Sequence, residues 1–184
     1  MKKFTVTQLK KELARKTKNE LIKEIAALCK TFPQVREYYM AQGGDIHELL
    51  DKYAGIIEKE FIDGKTRGFP KVRFSIARKA LNDFKKLTDD PALIAELMLI
   101  YAESVSQFSS DFAPDTEEFY TKPENMFEQA LTLIKRHHLQ DTFHECAYRI
   151  VENACEGWGH RDSLEERYEE VYGEFILAKN CKRT

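Results

Sequence analysis

Two short stretches of the chain gather residue types that could do chemistry. The first holds His137, His138, Asp141, His144 and Cys146. Asp141 and His144 are three residues apart and so share one face of a helix. A dinuclear carboxylate centre uses a carboxylate and a histidine at that spacing, but the carboxylate is a glutamate, the pair occurs twice and two further carboxylates complete the site. This chain has no second copy. Zinc sites show paired close ligands, whereas His144 and Cys146 point to opposite sides of a helix. His137-His138 therefore reads as the polar end of a helix, near its negative pole. No metal and no other cofactor is expected.

The second stretch runs from Cys155 to Asp162. A thiol at Cys155 with Trp158 and His160 nearby has the makings of nucleophilic catalysis. Such a thiol must be activated and exposed, and several roles must coincide. The simpler expectation has Gly157 and Gly159 making a tight turn, Trp158 plugging a helical hairpin and Asp162 capping a helix. There is no P-loop, no glycine-rich dinucleotide turn and no G-x-S-x-G. No catalytic residue is assigned.

Positive charge offers a third possibility. Residues 1–36 hold 10 Lys or Arg against 3 Asp or Glu, and residues 65–86 hold 8 against 1. Residues 37–64 and 87–184 are acidic, with balances of −5 and −11, so a net charge of −2 conceals strong segregation. Such blocks can steer a charged partner. Lys10, Lys11, Lys16, Lys18, Arg67, Lys71, Arg73, Arg78 and Lys79 are the candidate contacts for nucleic acid or another partner. The competing expectation pairs these residues with Asp and Glu of the acidic helices within one fold.

Helical signals must position all of these groups. Thr5-x-x-Gln8 and Thr17-x-x-Glu20 are capping boxes, and they open helices near 6–15 and 18–31. Leu21, Ile25, Leu28 and Phe32 share one face of the second. Pro33 ends it, and a short helix near 34–41 follows before Gly43-Gly44. A helix near 46–61 presents Leu49, Leu50, Tyr53, Ile56, Ile57 and Phe61. Residues 63–72 are non-helical, punctuated by Gly64, Gly68 and Pro70. Helices near 73–87 and 91–109 come next, the latter with Asp90 as cap and Pro91 in its first turn. A loop is expected from Ser109 to Lys122, then helices near 123–138, 141–156 and 163–178. No segment alternates with period two, so no sheet is expected.

A shift of 50 residues aligns Ile76, Ala80-Leu81 and Phe84-Lys85 with Met126, Ala130-Leu131 and Ile134-Lys135. It also aligns Leu93, Leu97, Ile100 and Tyr101 with Phe143, Ala147, Ile150 and Val151. Each copy reads as two helices with one apolar face apiece, which stacking would bury. The expected fold is all-α: about eight helices, with antiparallel hairpins stacked as a short solenoid-like bundle. An N-terminal module over 1–62 would precede the repeat region over 63–184, the two forming one compact unit overall.

The strings Lys79-Ala80-Leu81-Asn82-Asp83-Phe84-Lys85-Lys86-Leu87, Glu96-Leu97-Met98-Leu99, Met126-Phe127-Glu128-Gln129-Ala130-Leu131 and Gly157-Trp158-Gly159, with the Leu-Lys-Lys-Glu-Leu start, resemble a family of bacterial helical proteins known only as a domain of unknown function. The resemblance covers most of the chain and implies an all-helical fold, with no activity, substrate or catalytic residue to carry over. The opening residues also resemble a SAP-type module, a small helix-loop-helix of nucleic-acid-associated proteins. Leu9, Leu13, Leu21 and Ile25 hold its apolar positions, and Lys10, Lys11, Arg15, Lys16 and Lys18 surround them. Lys16-Thr17-Lys18-Asn19 stands where that module carries a glycine, which argues against DNA binding and for an ordinary hairpin docked on the body.

No apolar run approaches the roughly 20 residues that span a bilayer, and the N-terminus lacks a secretion signal. The four cysteines, Cys29, Cys146, Cys155 and Cys181, are widely spaced and read as reduced thiols of a cytoplasmic protein. The expected function is a helical scaffold that binds another protein, without catalysis and without a membrane. The alternative is a nucleic-acid-associated protein using segments 1–36 and 65–86.

Overall fold

Threonine hydroxyls start the first two helices. In the computed structural model, which describes residues 4–62 and 69–176, the Gln8 N–H donates to Thr5 Oγ1 at 3.3 Å, and the Thr5 N–H donates to Gln8 Oε1 at 3.1 Å. Thr17 and Glu20 repeat the arrangement. These reciprocal bonds satisfy N–H groups that no helical carbonyl can reach. Helix α1 spans Val6–Leu13 and α2 spans Lys18–Thr31. Pro33 closes α2 and serves as the first residue of α3, Pro33–Gly43, because its missing N–H costs nothing there. Gly44, at φ 103°, ends α3.

The chain divides into two units after Ile46. The expected module boundary lay after residue 62; the difference is the length of α4, Ile46–Phe61. The rings of α4 explain where it belongs. Tyr53 meets Phe84, and Phe61 meets Phe74, Tyr101 and Phe108. These contacts tie α4 to α5 (Phe74–Phe84) and α6 (Pro91–Phe112). The second unit continues with α7 (Glu118–Arg136), α8 (Gln140–Glu152) and α9 (His160–Tyr172). A single 3-10 turn, Gly157–Gly159, precedes α9. There is no strand among the described residues.

Helix α6 is the centre of the second unit. Asp90 caps it by accepting the Ala92 N–H at 2.9 Å, with Pro91 in the first turn. It buries Leu93, Leu97, Leu99, Tyr101, Val105 and Phe108. Its most extensive packing is against α7, and α9 lies against both α7 and α8. Helices α7 and α8 touch each other little, so the close sequential pairs are α6 with α7 and α8 with α9, not the α5–α6 and α7–α8 hairpins that the 50-residue shift marks. The 50-residue correspondence holds at Leu81 and Leu131, both 2 % exposed, and weakens at Ile100, half-buried where Ile150 is buried.

Helix α7 starts earlier than the sequence predicts. Its first turn replaces the end of the expected loop, and Pro123 sits inside the helix. Proline removes one N–H, so the carbonyl four residues before it loses its helical partner. That carbonyl is Phe119, and the Ser109 hydroxyl of α6 donates to it at 2.9 Å. Helix α6 itself ends in Ala113, whose φ of 43° is left-handed, followed by Pro114. Tyr120 reaches back from α7 and donates its hydroxyl to the Pro114 carbonyl at 3.1 Å.

Helix α9 also begins before its expected cap. Gly159, at φ 66°, turns the chain so that His160 is already helical and Asp162 lies in the first turn. Trp158 does not plug the hairpin. It is 60 % exposed, at φ 59°, and its indole stacks on the Tyr120 ring with centroids 5.7 Å apart.

Candidate functional site

Among the described residues, the basic candidates divide into those that hold a carboxylate and those that make no ion pair. The Arg73 guanidinium grips Glu60 as a fork, Nε to Oε2 at 2.8 Å and Nη2 to Oε1 at 2.6 Å. Glu60 comes from the acidic segment, as the pairing expectation requires. Its carboxyl is held below the ordinary range by the Arg73 hydrogen bonds, against the opposing effect of burial. The same glutamate's carbonyl accepts the Val72 N–H at 2.8 Å. Val72 has φ 55°, a left-handed conformation that a β-branched residue adopts only under constraint. Lys16 pairs with Glu24 and Lys79 with Asp83, both partners lying inside the basic segments themselves. Lys10, Lys11 and Lys18 stand exposed on α1 and α2, Lys71 ahead of α5 and Arg78 within it. Arg67 lies outside the described residues. The candidates thus occupy both units: Lys10, Lys11, Lys16 and Lys18 in the first, and the other described ones in the second.

The first unit exposes more than charge. No hydrophobic side chain of α1, α2 or α3 is buried; their one buried residue is Glu37. Val6 and Leu9 of α1, and Ile22, Ile25 and Leu28 of α2, are exposed, as is Phe32. Leu13 and Leu21 are half-buried. The apolar stripe that periodicity marks on these helices is therefore covered only in part, with Val6, Ile22 and Phe32 its most open members.

A buried polar network crosses the second unit. His160, with no exposed surface, places Nε2 3.0 Å from the Ser106 hydroxyl and Nδ1 2.8 Å from Glu124 Oε1. With Nδ1–H donating to the carboxylate, Nε2 accepts from Ser106. Glu124 Oε2 takes a further bond from the Ser163 hydroxyl at 2.9 Å, and Arg167 Nη1 donates to the Ser163 carbonyl at 2.6 Å. Three helices are joined: α6 by Ser106, α7 by Glu124 and α9 by His160, Ser163 and Arg167.

Serine, histidine and carboxylate in that order have the connectivity of an acyl-transfer triad. Two features set this one apart. Ser106 is 4 % exposed, and the void beside it, lined by Glu103, Gln107, Ile150 and Asn153, measures about 10 Å³, room for one water at most. Ser106 also lies inside α6, where backbone N–H groups are spent on helical carbonyls and offer no oxyanion site. In this conformation the network ties helices together and no substrate reaches it.

The sequence had singled out His160 but beside the wrong partner. Cys155 is half-buried and makes no bond to it. Ser106 and Glu124 were missed because they lie 54 and 36 residues away. The one available signal is the cluster Ser104, Ser106, Ser109 and Ser110 in the second half of a helix whose first half is largely apolar.

The His137 to Cys146 stretch resolves into separate duties. The Leu139 N–H bonds to the Ile134 carbonyl and the His138 N–H to that of Lys135, the paired bonds of a Schellman termination. His144 Nε2 lies 2.9 Å from the Tyr168 hydroxyl. Burial pushes the Cys146 thiol up, away from thiolate. No three His, Cys, Asp or Glu side chains converge on a metal-sized site among the described residues. No helix among them is long and apolar enough to cross a membrane.

These features define an all-helical protein with a buried polar network in its second unit and a first unit whose helices bury no hydrophobic side chain. The chain belongs to DUF6155, a family of unknown function, which it matches over residues 4–175. Comparison with curated proteins and with solved structures gives no match.

Proposed function

We propose that this chain is a non-catalytic helical interaction protein of the cytoplasm. Its N-terminal unit takes up a partner protein that offers an apolar ridge flanked by acidic groups. The observation that carries this is the absence of any buried hydrophobic side chain in α1, α2 and α3. Val6 is 69 % exposed and Ile22 54 %, and apolar surface left in water forgoes about 25 cal/mol per Å². Lys10, Lys11 and Lys18 flank that surface and favour an acidic partner by complementarity. A protein fits better than nucleic acid. The open stripe is mostly aliphatic and offers bases little to stack on, and Lys16, Arg73 and Lys79 already hold carboxylates. Free thiols at Cys29, Cys146 and Cys155 agree with a reducing compartment.

A photo-crosslinking amino acid at Ile22, introduced in the native host, tests the reading. The expected product is a discrete adduct with a second protein that survives nuclease and disappears when Ile25→Asp and Leu28→Asp are added. An adduct made only of nucleic acid, or none beyond crosslinks within the chain, overturns it.

A further inference from the structure

A cavity of about 400 Å³ opens along the outer side of α7, bounded by α6 and by the residue that follows α5. Its apolar lining comes from Ile94 and Met98 of α6 and Leu133 of α7. Its polar lining comes from Lys85, which caps α5, and from Glu128, Gln129, Thr132 and Arg136 of α7. Residues 128, 132 and 136 are four apart and form one row on the helix, so the polar edge is continuous. The volume lies in the range of small-molecule sites. Met98, buried and unbranched, is a side chain that adapts to the shape of an occupant.

Charge decides what the cavity accepts. Glu128 is its one carboxylate, and Arg167 Nε lies 3.4 Å from Glu128 Oε2, reaching over from the α9 side. That pair is poorly aligned as a hydrogen bond, but it neutralises Glu128. Lys85 and Arg136 make no ion pair among the described residues. Lys85 is half-buried, and burial alone pushes its ammonium down, with no carboxylate to oppose the effect. A partly desolvated cation beside an apolar cavity is completed by an anion.

We propose that this cavity binds a small amphipathic carboxylate, its apolar tail against Ile94, Met98 and Leu133 and its carboxylate between Lys85 and Arg136. A neutral ligand would leave the half-buried Lys85 ammonium unanswered, whereas Arg136 and Glu128 are exposed to water. The site belongs wholly to the second unit and is independent of the surface on α1 and α2.

Decanoate is the probe and decanol its neutral control, each titrated into the full-length protein while methyl resonances of Ile94, Met98 and Leu133 are followed. Saturable shifts at those three residues are expected with decanoate, at least about tenfold tighter than with decanol, the value of one charge-assisted bond. Lys85→Gln should weaken decanoate by about tenfold and leave decanol unchanged. Leu133→Glu, at a half-buried position, should abolish decanoate binding in protein that urea unfolding shows to be folded. Equal affinity for acid and alcohol, shifts confined to other residues, or full affinity in Lys85→Gln would overturn the proposal.

Discussion

The Ser109 hydroxyl on α6 takes up the Phe119 carbonyl on α7, the carbonyl that Pro123 leaves without a helical donor. A proline inside a helix costs about 3 kcal/mol when nothing answers it. Here the answer comes from a neighbouring helix, and the contact fixes where α7 crosses α6. The same hydroxyl lies 3.1 Å from the Val105 carbonyl, so its single proton is shared between two acceptors.

Removing that hydroxyl should therefore be costly only while Pro123 remains. Ser109→Ala is expected to destabilise the protein by about 1–3 kcal/mol, the range for a buried polar group left unpaired. In a Pro123→Ala background residue 123 regains an N–H that can reach Phe119, and the loss should shrink by about 1 kcal/mol. Urea unfolding of the four proteins measures this coupling. Equal losses in both backgrounds would mean that Ser109 does not serve the Phe119 carbonyl.

That pair also marks where sequence reading ends. The helix starts at Thr5, Thr17 and Asp90 are legible because cap and capped N–H lie within three residues of each other. The end of α2 is legible because Pro33 acts on its immediate neighbour. The start of α7 is not, since what permits a helix through Pro123 is a serine on a different helix. His160 shows the same limit more sharply. Its type drew attention, but its partners Ser106 and Glu124 come from α6 and α7, and no local spacing links them. Trp158, in a tight turn between two glycines, reads from sequence as the plug of a helical hairpin. Its left-handed backbone instead points the indole outward onto Tyr120.

Glu124 is the node of the buried network, accepting from both His160 and Ser163. Glu124→Ala should cost about 3 kcal/mol, because it leaves the fully buried His160 and the half-buried Ser163 without their acceptor. Ser106→Ala should cost about 1 kcal/mol. A fluorophosphonate should not label Ser106 in the folded protein, given its burial and the absence of oxyanion donors. Mass spectrometry of the treated protein checks this. Labelling lost in both Ser106→Ala and His160→Ala would show that the network opens and reacts.

The Glu60–Arg73 fork predicts a stability that depends on pH with a definite sign. The Glu60 carboxyl is depressed below its ordinary value of 4.5, chiefly by hydrogen bonds from Arg73. A depressed carboxylate contributes fully above its unfolded value, and the contribution is lost as pH falls through the lower, folded value. Wild-type protein should thus lose stability on acidification below about pH 4.5, and Glu60→Gln should lose less over the same interval. Glu60→Gln should also be less stable than wild type at neutral pH, since Arg73 loses its charged partner. Chemical denaturation at a series of pH values provides both slopes; identical slopes would place the acid sensitivity elsewhere.

His138 offers a test in the stabilising direction. It occupies the position after α7 where helices most often place glycine, with φ 56° and the paired Schellman bonds on either side. A left-handed backbone crowds the Cβ of any residue other than glycine and costs about 1–2 kcal/mol. The His138 side chain is exposed, so little packing offsets that cost. His138→Gly removes the crowding but gives the unfolded chain more freedom, which takes back part of the gain. The expected net effect is a stabilisation of about 0.5–1 kcal/mol, seen as a higher midpoint in urea with an unchanged slope. His138→Ala keeps the Cβ and should give no such gain. If glycine destabilised the protein, the imidazole would have to supply an interaction that outweighs its backbone strain, and His138 would return as a candidate for binding.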